Sequence, residues 1–195
     1  TMEIPIFPLG TVLFPGGRLP LRIFEPRYVE MTKACIRDNT LFGVCLIVGG
    51  FEVGTPAVPA KVGCTARIID WDVPNPGLFM LNSQGETAFR LLDRRTQPDG
   101  LIVGTVELIE PPDPTGVPER YEPMQQLLAD LIQEIGEDNF AKPPRFDDAA
   151  WVACRLAELL PIPPERKQKL LEATRPLAML SDVETLLRDL RDDRS

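Results

Sequence analysis

The sequence lacks the side chain on which most acid–base and nucleophilic active sites depend, because none of its 195 residues is a histidine. A Ser-His-Asp triad, a Cys-His pair and a histidine metal ligand are therefore excluded within these residues. The four cysteines, Cys35, Cys45, Cys64 and Cys154, show no CxxC spacing, which argues against a four-thiolate zinc site. They lie in apolar patterns, so the sequence predicts buried free thiols, no metal and no cofactor.

Nucleotide-binding loops are also missing from the sequence. None of the five lysines follows a glycine, as the P-loop motif requires. No two glycines are spaced i, i+2, as the Rossmann fingerprint requires. The sequence therefore predicts neither an ATP site of the P-loop type nor a dinucleotide site.

Serine and carboxylate side chains leave an enzyme of unrecognised type as an alternative. Ser181 fits a helix cap and Ser195 is the last residue, so a Ser-Lys dyad would have to use Ser83. Asp70 and Asp72 could do acid–base work if burial separated their pKa values. They flank a tryptophan at a predicted strand end, however, and solvated carboxylates are the simpler interpretation.

The residues most able to recognise a partner lie in the first forty, which are predicted to form short strands, a turn and a helix. Residues 4–9 and 12–14 are short apolar runs, and 19–23 alternates between apolar and other residues with strand periodicity. Pro5 and Pro8 lack a backbone N–H and therefore predict a sheet edge or a bulge. A helix is expected from Pro26, and its apolar face is formed by Tyr28, Met31, Ala34 and Cys35.

Six side chains of this segment are candidates for binding a peptide or protein partner. Arg22, Glu25 and Arg27 could form an ion-pair network where the strand meets the helix, either as a structural pin or as a polar anchor for a peptide. Aromatic residues such as Phe7, Phe14 and Tyr28 are more often core residues than part of a recognition surface, and the recognition surface is kept here as the functional interpretation. No residue is predicted to be catalytic.

Further along, five more segments have strand character: residues 41–48, 62–69, 78–81, 87–92 and 101–109. A turn is expected at Gln84-Gly85, between two of them. Strands joined by short turns, with one early helix, imply a highly curved sheet or pseudo-barrel.

The period changes from two to 3.6 after a proline-rich segment. Residues 1–112 are predicted to form a β-rich subdomain, 113–118 a stiff linker, and 119–195 a bundle of α-helices. Helices are expected over about 121–135, 147–160 and 164–174, and a fourth begins at a capping box made by Ser181 and Glu184. The fold class is therefore α+β.

The charge of the chain narrows the choice of partner and compartment. The formal net charge is −8, and an acidic surface argues against a nucleic-acid backbone as the main partner. No apolar run approaches the length of a membrane span, and no secretory leader is evident. We expect a cytoplasmic protein that needs no membrane, and self-association into a homo-oligomer stays open.

The opening stretch, PIFPLGTVLFPGGRLPLRIFEPRYVEM, resembles the start of the Lon substrate-binding domain, the N-terminal domain of Lon proteases, which also occurs as a stand-alone bacterial protein. Later landmarks extend the resemblance over nearly the whole chain: GVCLI (43–47), VGCTARI (62–68), GETAFRLL (85–92) and AWVACRLAELLP (150–161). The resemblance implies a small PUA-like pseudo-barrel followed by a helical bundle. It departs at Arg22, where the family pattern commonly has a histidine and this chain has a permanent cation.

The resemblance also implies recognition without catalysis, because the ATPase and Ser-Lys protease signatures of full Lon proteases are absent from these residues. The leading hypothesis is a non-catalytic module that binds unfolded polypeptide or a protein partner and acts as an adaptor in protein quality control. A related domain in cereblon likewise serves an assembly that selects proteins for degradation. A PUA-like module for a small ligand or RNA, and an enzyme acting through Ser83 or Asp70, are the alternatives.

Overall fold

The computed structural model describes residues 1–51 and 55–193, which separate into two units, Thr1–Glu110 and Pro111–Ser195. The first unit contains the strands and the first helix. Its elements are β1 (Met2–Leu9), β2 (Arg18–Ile23), α1 (Pro26–Asp38), β3 (Phe42–Gly49), β4 (Val58–Pro59), β5 (Val62–Asn75), β6 (Leu78–Thr96) and β7 (Ile102–Leu108).

Five strands pair in an order that returns to its starting strand: β1, β7, β6, β5, β3 and again β1. The pairs are antiparallel except for β1 and β3, which are parallel. β2 pairs with β6 outside this path, and the short β4 pairs with β3. The strand-rich sheet together with helices confirms the mixed α and β class.

The edge position predicted for the first strand from its prolines holds only locally, since β1 as a whole has a neighbour on each side. Residues 2–6 pair with β7 and residues 6–9 pair with β3, so the two pairings overlap at Ile6 alone. Among the described residues, Pro5 and Pro8 each lie where β1 has a single neighbour, and a strand tolerates proline where its missing N–H faces the unpaired side. The strand predicted over 12–14 is also wrong: these residues are irregular and buried.

The turn predicted at Gln84-Gly85 is a further correction, because β6 runs unbroken from Leu78 to Thr96. A Cβ at Gly85 would overlap the carbonyl oxygen of Phe14. The Gly16 N–H donates to the Gly85 carbonyl and the Gly85 N–H donates to the Gly17 carbonyl, both at 2.8 Å. The glycine is thus needed for the close approach of a second backbone and not for a reversal of the chain.

The core of the first unit joins α1 to the sheet. The buried face of α1 is formed by Val29, Met31, Thr32 and Cys35. Met31 and Cys35 belong to the predicted face, whereas Val29 and Thr32 take the places predicted for Tyr28 and Ala34. Thr32 satisfies its buried hydroxyl by donating to the Tyr28 carbonyl at 2.7 Å. A large cluster surrounds this face, and its largest members include Phe42, Phe79, Leu81 and Ile23.

The second unit is helical. After a 3₁₀ turn at Glu119–Tyr121 it contains α2 (Glu122–Ile135), a second 3₁₀ turn (Glu137–Asn139), α3 (Ala149–Leu159), α4 (Pro164–Glu172) and α5 (Pro176–Asp192). No helix in the described ranges is both long enough and apolar enough to cross a membrane. The domain boundaries expected at 112 and 119 stay predictions.

Helix α3 is the most buried helix of the described residues, as its sequence predicts: eight of its eleven residues are buried, including Arg155. The predicted start of the last helix is wrong, because α5 begins at Pro176 and Ser181 lies within it. Pro176 occupies the first helical position, where its fixed φ suits the helix and its missing N–H costs nothing. The Ser181 carbonyl instead accepts a hydrogen bond from the Thr185 hydroxyl at 3.1 Å.

Candidate functional site

Four of the six predicted recognition residues meet where α1 begins. The Phe7 ring from β1 stacks on Tyr28 with a centroid distance of 4.1 Å and an interplanar angle of 3°. The Arg27 guanidinium lies over the Tyr28 ring, 4.9 Å from its centroid. Arg27 also forms a 3.0 Å ion pair with Glu25, the residue before the helix. The aromatic pair and the ion pair therefore form one cluster.

The loop before β7 makes room for this arrangement. Gly100 has a φ of +94°, and a Cβ there would lie 2.8 Å from Nη1 of Arg27. The Tyr28 ring is half-buried, and burial raises the pKa of its hydroxyl, with Arg27 partly opposing the shift. A guanidinium and a phenol held in this way can bind carbonyl or carboxylate groups.

The other two predicted residues lie elsewhere. Phe14 is completely buried, so its side chain is not part of a surface. Arg22 is exposed on β2, because the strand alternation that buries Ile23 turns Arg22 outward. Within the part of the chain that the structure describes, the predicted ion-pair network reduces to Glu25 and Arg27, and Arg22 forms no ion pair.

The residues named for the enzyme alternative are not arranged for catalysis. Ser83 is completely buried in β6, and its hydroxyl has no hydrogen-bond partner among the described residues. Asp70 and Asp72 are both exposed on β5. No three acidic or cysteine side chains of residues 1–51 and 55–193 come close enough together to hold a metal ion.

One surface has no counterpart in the predicted site. Strand alternation predicts a strand over 62–69, whereas β5 continues to Asn75, and its last seven residues, 69–75, are all exposed. We call residues 69–75 the outer β5 segment. It presents Ile69, Trp71 and Val73 with 39%, 49% and 46% of their surfaces exposed. The signal for it in the sequence is the period-two pattern Ile-Asp-Trp-Asp-Val, which extends the strand through the two aspartates.

Trp71 adjoins the apolar face of the sheet. Leu21 of β2 pairs with Leu81 of β6, and Leu81 pairs with Trp71 of β5. Paired residues on antiparallel neighbours have their side chains on the same face, so these three form one row. Several partly buried apolar residues pack against the same core cluster, among them Leu9, Leu19, Leu21, Tyr28 and Ile68. The surface can therefore contact apolar side chains of a partner.

Comparison with known proteins assigns a family to this arrangement. The model of the ATP-dependent protease La (LON) substrate-binding domain matches residues 3–189. A crystal structure of a Lon N-terminal domain protein from Xanthomonas campestris has a TM-score of 0.77 with this chain at 34% identity. That match covers 96% of this chain and 98% of the other.

Two curated relatives are longer proteins. A Lon protease from Parabacteroides distasonis is 30% identical over 145 residues, which are 73% of this chain and 17% of that protein. Protein cereblon from Xenopus tropicalis is 29% identical over 111 residues, which are 55% of this chain and 24% of that protein. The chain thus spans about a quarter or less of the length of these two relatives.

Proposed function

The chain belongs to the Lon substrate-binding domain family, and from that premise we propose that it binds unfolded or partly folded polypeptide without acting on it chemically. The observation that carries the proposal is the family match over residues 3–189. The homology is to a non-catalytic substrate-recognition domain, and the matched region accounts for nearly the whole chain.

The geometry supports recognition through the first unit. Phe7 is buried in the core, so the accessible part of this cluster is the half-buried Tyr28 ring with the Arg27 guanidinium beside it. The outer β5 segment adds exposed apolar side chains. Exposed apolar groups on a rigid sheet suit a partner that offers unburied apolar side chains of its own, as unfolded polypeptide does.

The further parts of the proposal concern context. We propose that the closed order of β1, β7, β6, β5 and β3 is a PUA-like pseudo-barrel and that the helical unit is a bundle. The module would act in the cytoplasm as an adaptor in protein quality control. The buried Ser83 and the exposed Asp70 support the non-catalytic interpretation.

The test is a titration of the pure chain into a fluorescein-labelled, reduced and carboxymethylated polypeptide that cannot refold, followed by anisotropy without ATP. We expect saturable binding, competition by the unlabelled unfolded polypeptide, and no competition by its native disulfide-bonded form. Electrophoresis after incubation should find the polypeptide intact. Absence of binding at high micromolar chain concentration, or cuts that persist through repurification, would refute the proposal.

A further inference from the structure

The sheet has two open edges next to each other, on the two sides of the first half of β6. β2 pairs with β6 over residues 18–23 and has no second partner strand among the described residues. On the opposite side of β6, the pairing of β5 with β3 ends at Ala66, so within the described ranges the outer β5 segment pairs with β6 alone. An open edge presents alternate backbone N–H and C=O groups that another strand can meet.

The two edges differ in their ability to accept a strand. Pro20 lies in the middle of β2 and lacks the N–H that a continuous ladder needs. Between Ile69 and Val73 the outer β5 segment contains no proline. The pairing with β6 is regular from Asp70 to Asp72 and shifts register on either side, and the Val73 N–H already donates to Oδ1 of Asp72. A ladder with an added strand is therefore centred on residues 70–72, and Pro74 limits it at the end near the hairpin turn.

The side chains of the outer β5 segment indicate what the added strand carries. Asp70 and Asp72 pair with Asn82 and Met80, so both carboxylates lie on one face, and Trp71 lies on the other. Neither aspartate forms an ion pair with any described residue; Asp72 accepts only a hydrogen bond from the Val73 N–H, at 2.9 Å. Two unneutralised carboxylates at an open edge attract cationic side chains at alternate positions of an added strand.

A second copy of this chain fits the edge poorly. Two outer β5 segments pairing around a two-fold axis would bring the four carboxylates of Asp70 and Asp72 onto one face of a continuous sheet. Like charges on neighbouring strands are destabilising, and the net charge of −8 adds to the repulsion between copies. The chemistry of the edge therefore favours a different, cationic chain.

We propose that the outer β5 segment binds an extended polypeptide segment by strand addition and selects basic residues at alternate positions, with an apolar residue between them against Trp71. The inference rests on the proposed function and specifies its mode of binding and its substrate class. The basic side chains would face Asp70 and Asp72, and backbone hydrogen bonds would supply a part of the affinity that is independent of sequence.

A peptide series tests the backbone part of this proposal. The probe is a fluorescent, acetylated nonapeptide in which Lys alternates with Val or Phe, compared with versions that are N-methylated on all Lys or on all apolar residues. In an added strand, N–H groups of one alternate set face β5 and those of the other set face solvent. One methylated version should lose about tenfold or more in affinity while the other binds within about twofold. Equal effects of the two versions would overturn strand addition.

Substitutions test the charge selection. D70N/D72N should weaken the lysine peptide about three- to tenfold at low salt and remove most of the salt dependence of its binding. The control D113N/D147N makes the same change in net charge at two other exposed aspartates and should bind like the wild type. A variant D70N/D72N that binds as the wild type does, or a control that loses as much, would overturn the selection of basic residues.

The outcomes separate this inference from the proposed function. If D70N/D72N and W71A bind the unfolded polypeptide as tightly as the wild type does, the proposed site is overturned while polypeptide binding remains. No binding of unfolded polypeptide or lysine peptide would overturn both. A concentration-dependent dimer that W71A dissociates, measured by light scattering, would replace the cationic segment with a second copy as the occupant.

Discussion

The ion pair inside helix α3 gives the sharpest prediction about stability. Arg155 has 1% of its side chain exposed and Glu158 has 21%. The guanidinium donates from Nε to Oε2 of Glu158 at 2.9 Å and from Nη2 to Oε1 at 2.7 Å. Replacing Arg155 with methionine keeps much of the side-chain volume and removes the charge, leaving the carboxylate of Glu158 without its bidentate partner.

The expected loss follows from the burial of the pair. Removing one member of a buried ion pair costs about 3–5 kcal/mol, because the remaining charge stays desolvated. One fifth of the Glu158 side chain reaches solvent, so the lower end of that range applies, about 3 kcal/mol. Arg155 also lies over the Trp151 ring at 5.6 Å, which adds about 0.5 kcal/mol. This is a large share of the roughly 5–15 kcal/mol typical of a folded domain.

The loss must also depend on pH. Burial raises the pKa of Glu158, and Arg155 opposes that rise. In R155M the pKa of Glu158 therefore lies further above its unfolded value of about 4.3. A raised folded-state pKa means that the folded state is favoured when Glu158 is protonated and is weakened as the pH rises through that pKa. The difference in unfolding free energy between wild type and R155M should be large at pH 7 and smaller at pH 4.5.

The assay is guanidinium denaturation followed by circular dichroism at 222 nm at both pH values. The matched control is R155M/E158Q, which removes both charges of the pair and should recover most of the lost stability. A loss below about 1 kcal/mol for R155M at pH 7, or an equal loss at both pH values, would refute the assignment of a stabilised buried pair.

Three further outcomes are expected. G85A should destabilise the first unit by about 2–3 kcal/mol, measured by denaturation, because its Cβ would overlap the carbonyl of Phe14; unchanged stability would contradict the close approach. Y28A should cost about 2–3 kcal/mol through loss of the stack with Phe7, whereas Y28F should cost under 1 kcal/mol. The thiols of Cys45 and Cys154 should resist iodoacetamide at pH 8 until the chain is unfolded, since burial raises the pKa of each to about 12; rapid labelling of the folded chain would contradict it.

Periodicity in the sequence predicted the strands and helices that are buried on one face or on all sides. The alternation of 19–23 corresponds to β2, the apolar run of 41–48 corresponds to β3, and the 3.6-residue period after 119 corresponds to α2 and α3. These patterns are local, so a single sequence suffices to identify them. The family resemblance seen in the opening stretch was likewise carried by local residues.

What failed depends on contacts between segments far apart in the chain. Gly85 has the sequence character of a turn residue, but its backbone is paired with residues 16–17, nearly seventy positions earlier. Phe14 was kept as a candidate binding residue because its segment is rich in proline, but it is completely buried where this segment meets Gly85. The grouping of Glu25, Arg27 and Tyr28 follows from adjacent residues, and its role in binding stays a prediction. The open edge of β5 depends on where β3 stops pairing and cannot be identified locally.

Proline placement in three strands of the first unit follows this pairing. In β1 the prolines lie where one neighbour is missing, and in β2 Pro20 lies at a strand that has one neighbour throughout the described residues. A proline costs little where its N–H would face no acceptor, so these positions tolerate it and at the same time are closed to a new strand. The outer β5 segment also has one neighbouring strand among the described residues, but it contains no proline from Ile69 to Val73. Its protection against unwanted pairing comes instead from the carboxylates of Asp70 and Asp72. These carboxylates repel an acidic strand or a second outer β5 segment and attract a basic strand.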